Sequence, residues 1–230
     1  MTSSASTTGL RGLAHPSLRD QVRRAVVEAI LIGQLPAGKR INETDVATTL
    51  GVSQTPVREA LLGLEGEGFV ESRSGRGFFV RHFSIQEASE AYLLLARLET
   101  LALQLSGIPD ANTLEELRAI NRDFANCGPD TQDAIRLDSR FHDTLLERCP
   151  NHLLLRLIER VRRIAHRYES AYMRKPHNRS PSAKQHDAIL DHLAVGSLEA
   201  ACQPLEANWI EGSKAAHEWL TNHELNGETP

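Results

Sequence analysis

Residues 35–80 carry the pattern that decides the fold of the first third of the chain: LPAGKRINETDVATTLGVSQTPVREALLGLEGEGFVESRSGRGFFV. Asn42 and Ser53 stand where helix N-caps are expected, with Gly51 marking a tight turn between the two helices. The second of these helices has apolar residues at i, i+3, i+4 and i+7: Val57, Ala60, Leu61 and Leu64. Two short extended runs, 69–72 and 78–81, then flank a glycine-rich turn, which predicts a β-hairpin.

A further helix precedes this stretch. Ser17 with Asp20 three residues later is typical of a capping box, and apolar residues at helical spacing follow until Gly33. Three helices and a small hairpin predict a winged helix-turn-helix.

The rest of the chain has only helical patterns, broken by prolines and glycines, which predicts an all-α bundle with short connections. The fold class is therefore mainly α, with the winged helix-turn-helix over residues 15–82 and the bundle over residues 83–222. Residues 1–14 and 223–230 are expected to be tails, the first of them disordered.

Composition narrows the class of protein. The 230 residues are 40% apolar and 5% aromatic, as in an ordinary globular protein, and no apolar run approaches a membrane span. The N-terminus has no apolar core of a signal peptide, and the three cysteines have no paired spacing, so we expect a cytoplasmic protein with no membrane partner. Residues 1–81 hold ten Lys and Arg against eight Asp and Glu, which permits a nucleic-acid partner.

The helix that begins after Ser53 has the features of a recognition helix. Gln54, Thr55 and Arg58 share the face opposite its apolar stripe, and Gln and Arg can pair with adenine and guanine through two hydrogen bonds each. In the hairpin, two arginines flank a glycine that allows close approach to DNA. The predicted DNA contacts are Ser53, Gln54, Thr55, Arg58, Arg73, Gly75 and Arg76. A winged helix used for protein contacts is the alternative, because fold alone does not fix function.

Three helices of the bundle turn polar residues toward the expected core. Asp138 and His142 lie four residues apart on one face, and His186 and Asn208 fall in line with apolar stripes of two later helices. Buried polar groups must be paired or must coordinate something. Asp138, His142 and His186 are plausible ligands of one metal ion, but spacing alone favours a network of hydrogen bonds.

Arginines in two helices are further candidates. Arg97 stands at the edge of an apolar face that includes Leu94, Leu98 and Leu101, where it could contact an effector carboxylate; a surface salt bridge is an equal alternative. A second series is expected to form a solvated face, with a contact to the DNA-binding domain or an anion pocket as the alternative: Arg156, Arg160, Arg163 and Arg167.

The quoted stretch, with its VSQTPVREAL core and glycine-bearing wing, resembles the DNA-binding domain of GntR-type bacterial transcription regulators. The helical remainder resembles the FadR subfamily, with its FCD effector-binding and dimerisation domain, so the resemblance covers roughly residues 15–222. It implies a homodimer that binds a palindromic operator in double-stranded DNA, usually as a repressor released by a small metabolite. Gln54 departs from the arginine common in the family, which removes one charge from the DNA-binding surface.

The resemblance also implies a metal site. Many FCD domains bind a divalent ion through an Asp-x-x-x-His pair and two later histidines, which match Asp138, His142 and His186. The fourth position is Asn208, whose amide oxygen is a weaker ligand than imidazole, so Zn, Ni and Mn all stay open. Family members often have an effector-facing arginine near Leu95, and leucine there indicates a different or less acidic ligand.

Three functions are compatible with these residues. The leading hypothesis is a regulator that responds to an organic acid bound beside a metal. A metal-dependent hydrolase-like enzyme is the second, but the sequence has no nucleophile motif, phosphate loop or cofactor fingerprint, so we expect no enzyme. The third is a DNA-binding dimer with no effector.

Overall fold

The computed structural model of the protein describes residues 17–128, 131–173 and 179–225. Within these residues the chain forms nine helices and one two-stranded antiparallel sheet. In chain order they are α1 (Leu18–Leu31), α2 (Glu43–Leu50), α3 (Gln54–Gly66), β1 (Val70–Arg73), β2 (Gly77–Val80), α4 (Ile85–Ser106), α5 (Ala111–Asn126), α6 (Thr131–Leu146), α7 (His152–Tyr172), α8 (Ser180–Ala194) and α9 (Leu198–Leu225). The mainly α class, with a winged helix-turn-helix before a helical bundle, is confirmed.

The three N-terminal helices begin at the residues that their caps predict. The Ser17 side chain accepts a hydrogen bond from the Asp20 backbone N–H, and the Asn42 side chain accepts one from Thr44. Gly51 ends α2 with φ of 65°, a left-handed conformation that glycine adopts without strain. The predicted stripe of α3 is buried against α1, which fixes which side of α3 remains outside. Leu18 and Leu50, which lie at the ends of their helices, are exposed.

The hairpin forms the wing. Val70 pairs with Val80 and Arg73 with Gly77, so the strands lie within one residue of the predicted runs. An isolated bridge from Arg40 to Phe79 ties the segment before α2 to the outer side of the wing.

In the bundle, α4 packs along α9 and α7, α8 packs along α9, and α5 packs on α6 and α8. The core of the bundle is continuous with that of the winged helix. The residues that α4 contributes to this core include Tyr92, Leu95 and Leu103.

The predicted inward face of α4 is wrong in part. Leu94, Leu101 and Leu105 are 43–50% exposed, whereas the fully buried Glu99 lies on the core side. The buried face of α4 has four alanines beside Tyr92, Leu95 and Leu103, so its leucines lie on both sides of the helix and do not by themselves mark the core.

The arginine series of α7 divides into two environments. Arg156, Arg160 and Arg163 are exposed, as expected for a solvated face. Arg167 is 2% exposed, and its guanidinium donates to the backbone oxygens of Gly68 and His82, both at 2.7 Å. The expectation of a solvated face is therefore wrong for Arg167, which joins the bundle to the base of the wing.

The two predicted tails lie at the ends of the chain. The tail predicted for residues 1–14 lies outside the described residues. Helix α9 continues to Leu225, three residues past the predicted end of the bundle at residue 222. In the described part of the chain, no helix combines the length and the apolar character that a membrane crossing requires.

Candidate nucleic-acid interface and metal centre

The predicted DNA contacts of α3 share its outward side. Ser53, Gln54, Thr55 and Arg58 are all exposed, while the opposite side of α3 is buried in the winged-helix core. Ser53 occupies the N-cap position but makes no capping hydrogen bond with its side chain. Arg58 makes a 3.7 Å ion pair with Glu43 of α2, and its side chain is 67% exposed. This end of α3 therefore presents hydrogen-bond donors to a phosphate or a base edge.

The wing places its basic residues at the tip. Gly75 adopts φ of 69° in the turn, and Arg76 beside it is exposed. The Arg73 guanidinium lies 4.1 Å from the centre of the Phe79 ring and pairs with Glu71 at 2.6 Å. These contacts orient the Arg73 side chain along the hairpin, whereas Arg76 lies in the turn between the paired strands.

Asp138, His142 and His186 come together in the bundle. All three are buried, and one ligand atom from each lies within 4.8 Å of the others. His142 Nε2 is 3.9 Å from one Asp138 oxygen, and His186 Nε2 is 3.7 Å from the other. Both distances exceed hydrogen-bond length, so the three groups surround a point rather than bond to one another. We refer to these three residues as the triad.

Partners on other helices fix the two imidazole rings. His142 Nδ1 lies 2.6 Å from Glu99 Oε2, and His186 Nδ1 lies 3.0 Å from Asn121 Oδ1. Each partner oxygen can accept a hydrogen bond from Nδ1–H, so in the neutral ring the lone pair is on Nε2, the atom that faces Asp138. His142 Nε2 has no hydrogen-bond partner among the described residues. An orphaned nitrogen of this kind fits a metal ligand better than a completed hydrogen-bond network.

Burial shifts the protonation of the triad, and a bound metal ion would favour the ionised carboxylate and the neutral imidazoles. Burial raises the pKa of Asp138 above its ordinary value, despite the opposing charges of His142 and Arg162. Burial lowers the pKa of His186 well below its ordinary range, and the nearby His142 adds to this, so His186 is neutral and its Nε2 can donate to a metal. Two imidazoles and one carboxylate are a donor set that Zn²⁺, Ni²⁺ and Mn²⁺ all accept.

An ionic network lies directly behind His142. Arg162 donates to Glu99 and to Asp143, and Trp209 Nε1 donates to Glu99 at 2.9 Å. Burial would raise the pKa of Glu99, but the charges of Arg162 and His142 outweigh it and lower this pKa to about 2. Burial would likewise lower the pKa of His142, and the Glu99 charge reverses that shift. Glu99 therefore stays ionised and orients His142.

Asn208 lies beside the triad. It is 8% exposed, and its amide nitrogen donates to Ser182 Oγ at 2.9 Å and to Gln185 Oε1 at 3.0 Å. Ser182 in turn donates to Asp138 at 3.4 Å. The structure thus brings Asn208 to the triad through a shared hydroxyl, and its role as a fourth ligand stays a prediction.

The structure does not bring Arg97 to this centre. Its side chain is 65% exposed and pairs with Glu206 at 2.7 Å, as in the salt bridge weighed as the alternative. Leu95, two residues earlier on α4, is fully buried. An effector contact from Arg97 is not supported by this placement.

Sequence reasoning missed the residues that hold the triad: Glu99, Asn121, Arg162 and Trp209. The sequence carries a weak signal for Glu99. This residue lies four positions after Leu95 and three before Ala102, on the same helical face. Asn121 likewise directly follows the buried Ile120.

Two family models match the chain. The model described as "Bacterial regulatory proteins, gntR family" matches residues 18–80, and the model described as "FCD domain" matches residues 90–208. The first match covers α1 to β2, and the second covers the triad, Asn208 and three of the partner residues, Glu99, Asn121 and Arg162.

Relatives and solved structures agree with these matches. The uncharacterized HTH-type transcriptional regulator YdhC of Bacillus subtilis is 28% identical over 186 residues, covering 78% of this chain and 82% of that protein. The Nta operon transcriptional regulator of Aminobacter aminovorans is 35% identical over 162 residues, covering 68% and 74%. A GntR family member from Pseudomonas syringae pv. tomato has a TM-score of 0.52 at 27% identity, covering 91% of this chain and 89% of that chain. Escherichia coli McbR/YncC has a TM-score of 0.64 at 21% identity, covering 89% and 99%, and shows the fold alone.

Proposed function

The chain belongs to the GntR family of bacterial regulatory proteins and carries an FCD domain, and from this premise we propose that it is a transcriptional repressor whose operator affinity is set by a small metabolite bound in its helical bundle. The relatives and the matched domains are transcription regulators. We accordingly propose a sensing role, and no catalytic role, for the triad. We also place the protein in the cytoplasm, where its DNA target would be.

The observation that carries the DNA-binding part is the division of α3 into a buried and an exposed side. The predicted base contacts, Gln54 and Arg58, fall on the exposed side at the N-terminal end of the helix. Helices of winged helix-turn-helix proteins enter the major groove by this end. Since each chain has one such helix, we propose that a homodimer reads a palindromic operator, one half-site per chain.

The observation that supports the effector part is the orphaned His142 Nε2 facing Asp138. We propose that Asp138, His142 and His186 hold a divalent metal ion, with Asn208 as the candidate fourth ligand. Such an ion supplies free coordination positions that a carboxylate oxygen of an organic acid can occupy. Glu99 and Asn121 keep both imidazole rings oriented for this role.

Helix α7 supplies a physical connection between the two parts. Near its middle, Arg162 binds Glu99, the partner of His142. One and a half turns later, Arg167 binds the backbone of Gly68 and His82 at the base of the wing. We propose that a change in the packing of α7 around the effector shifts the DNA-binding domain relative to the bundle.

Selection of duplex DNA from a random pool by the full-length chain tests this function. We expect enrichment of an inverted repeat, with two half-sites separated by about one helical turn. His186→Ala should then weaken the response of operator affinity to metabolites more than it weakens operator affinity itself. Failure to enrich any sequence, or enrichment of a single unpaired half-site, would contradict the proposal.

A further inference from the structure

A second buried acid, Glu169 on α7, takes no part in the triad. Glu169 is 2% exposed, and its Oε2 has no hydrogen-bond partner among the described residues. Burial raises the pKa of Glu169 well above its ordinary value, and the charge of Asp138 adds to this, so the ionised carboxylate lacks a counter-charge that a bound cation would supply.

Two basic side chains near Glu169 are not available to pair with it. His166 Nε2 is 3.7 Å from Glu169 Oε2, but it lies 3.0 Å from Ser139 Oγ. Burial lowers the pKa of His166 to about 3, with help from the positive charge of Arg162, so His166 carries no charge at neutral pH. The Arg162 guanidinium itself is held by Glu99 and Asp143.

Aromatic groups from two helices complete the surroundings of Glu169. Tyr92 of α4 is buried, and its hydroxyl interacts with that of Tyr172, which lies one turn after Glu169 on α7. Burial raises the pKa of both tyrosines. Tyr172 and then Glu169 raise that of Tyr92 further, and Glu169 raises that of Tyr172, so both tyrosines lie within electrostatic range of the Glu169 carboxyl. Gly212 of α9 leaves room for the rings, since a Cβ there would lie 2.9 Å from Tyr92 Cε1.

This group also lies next to the proposed metal centre. The Tyr92 ring centre is 6.1 Å from that of Trp209, and Trp209 is 4.9 Å from the His142 ring. The charge of Asp138 also acts on the pKa of Glu169 and of both tyrosines, so this group lies within electrostatic range of the triad.

We infer that Glu169, Tyr92 and Tyr172 form a subsite for a positively charged nitrogen, so that the effector is a small amine-bearing compound such as an amino acid. The inference rests on the proposed function, in which the bundle binds an effector. An ammonium group would donate a hydrogen bond to Glu169 and lie against the tyrosine rings, which is how proteins recognise such cations. An acid without an amine would leave Glu169 unpartnered.

Pairs of compounds that differ only by the amine test this inference on the metal-loaded full-length protein. The pairs are L-alanine and propionate, 4-aminobutyrate and butyrate, and L-glutamate and glutarate, with n-butylamine as an amine that lacks a carboxylate. Affinity is measured by thermal shift and calorimetry. We expect at least one amine-bearing member to bind about tenfold or more tightly than its partner, since a hydrogen bond to a charged group contributes that much.

Variants assign the preference to this subsite. Glu169→Gln keeps the shape and removes the charge, and it should reduce the amine preference to near one. Glu159→Gln is the matched control, because Glu159 lies on the same helix with its side chain 69% exposed and paired with Arg163. The control should keep the full preference.

Several results would overturn the inference. They are a wild-type protein that no amine-bearing compound stabilises, equal binding of both members of every pair, or an amine preference that survives Glu169→Gln. The wild-type comparison needs no variant and stands even if Glu169→Gln does not fold. If n-butylamine binds as well as an amino acid does, the amine subsite acts alone. If amino acids bind and n-butylamine does not, the carboxylate contributes jointly with the amine. The proposed function fails separately, by the absence of operator selection.

Discussion

The same side chain serves two different purposes in the two halves of this molecule. On the proposed DNA-binding surface, Arg58 is 67% exposed and makes a 3.7 Å ion pair with Glu43. In the bundle, Arg162 is 5% exposed, and its guanidinium is shared between Glu99 and Asp143. Removing an exposed arginine leaves little unsatisfied, whereas removing a partner of a buried one leaves a charge stranded. Substitutions in the two regions should therefore separate recognition from folding.

The largest effect on stability should follow Glu99→Ala. This change leaves the Arg162 charge, the His142 Nδ1 proton and the Trp209 N–H without their shared acceptor. We expect a loss of about 3–5 kcal/mol in the free energy of unfolding. The corresponding fall in Tm, measured by circular dichroism, is roughly 6–20 °C.

Glu116→Ala is the matched control for that change. Glu116 pairs with Arg140 at 2.8 Å, and both side chains are about half exposed. Its removal should cost about 0–1 kcal/mol. Equal losses for the two variants would show that the buried network does not differ from a surface salt bridge.

Arg58→Ala should have the next largest effect, and on binding rather than on folding. Loss of a bidentate base contact removes about 1–3 kcal/mol of discrimination, so affinity for the selected operator should fall roughly 5–150-fold. Fluorescence anisotropy measures the affinity, and Tm should stay close to that of the wild type. Arg163→Ala, which removes an exposed arginine from α7, controls for the general loss of positive charge. Unchanged operator affinity in Arg58→Ala would mean that α3 does not read the DNA as proposed.

Arg167→Met tests the connection between the two regions. The substitution keeps the apolar stem and removes the donors to Gly68 and His82. We expect the ratio of operator affinities with and without chelator to move toward one, from the roughly 5–150-fold typical of allosteric coupling. Arg160→Met on the exposed side of α7 should keep the wild-type ratio. A full ratio in Arg167→Met would remove α7 as the connecting element.

The smallest effect belongs to Tyr168 and depends on pH. Its hydroxyl donates to Glu87 at 2.7 Å, and burial raises its pKa to about 12 from the ordinary 10. A raised pKa means that the stability contributed by the neutral phenol is complete below pH 10 and is lost as the pH rises toward 12. Tyr168→Phe should therefore lower Tm by roughly 2–4 °C at neutral pH, and this gap should close in alkali. A constant gap from pH 8 to pH 12 would contradict the assignment.

The fold could be predicted from the sequence because its signals are local. Caps such as Ser17 and Asn42 and the stripe of α3 depend on neighbours a few residues away, and the structure contains the elements that they predict. The exposed side of α3 follows directly from its buried side. The inward leucines of α4 were the exception, because alanines and Glu99 occupy its packed face.

The candidate site could be predicted only in its inner part. Asp138 and His142 share one helix, and His186 interrupts an apolar stripe, so each is visible locally. Their partners are not, since Glu99 lies 43 residues from His142 and Asn121 lies 65 residues from His186. Pairings over such distances depend on how helices pack, and periodicity does not determine that packing. The prediction that Arg167 lies on a solvated face was wrong for the same reason.

Metal content tests the central claim most directly. Tag-free wild-type protein and Asp138→Ala would be analysed by elemental mass spectrometry before and after chelation, with operator affinity measured on every sample. We predict about one ion per wild-type chain, as expected for a single site with three protein ligands, and far less in the variant. Chelation should change the operator affinity of the wild-type protein only. Wild-type protein that retains no metal after supplementation, with operator affinity unaltered by chelator, would contradict a metal-containing effector site.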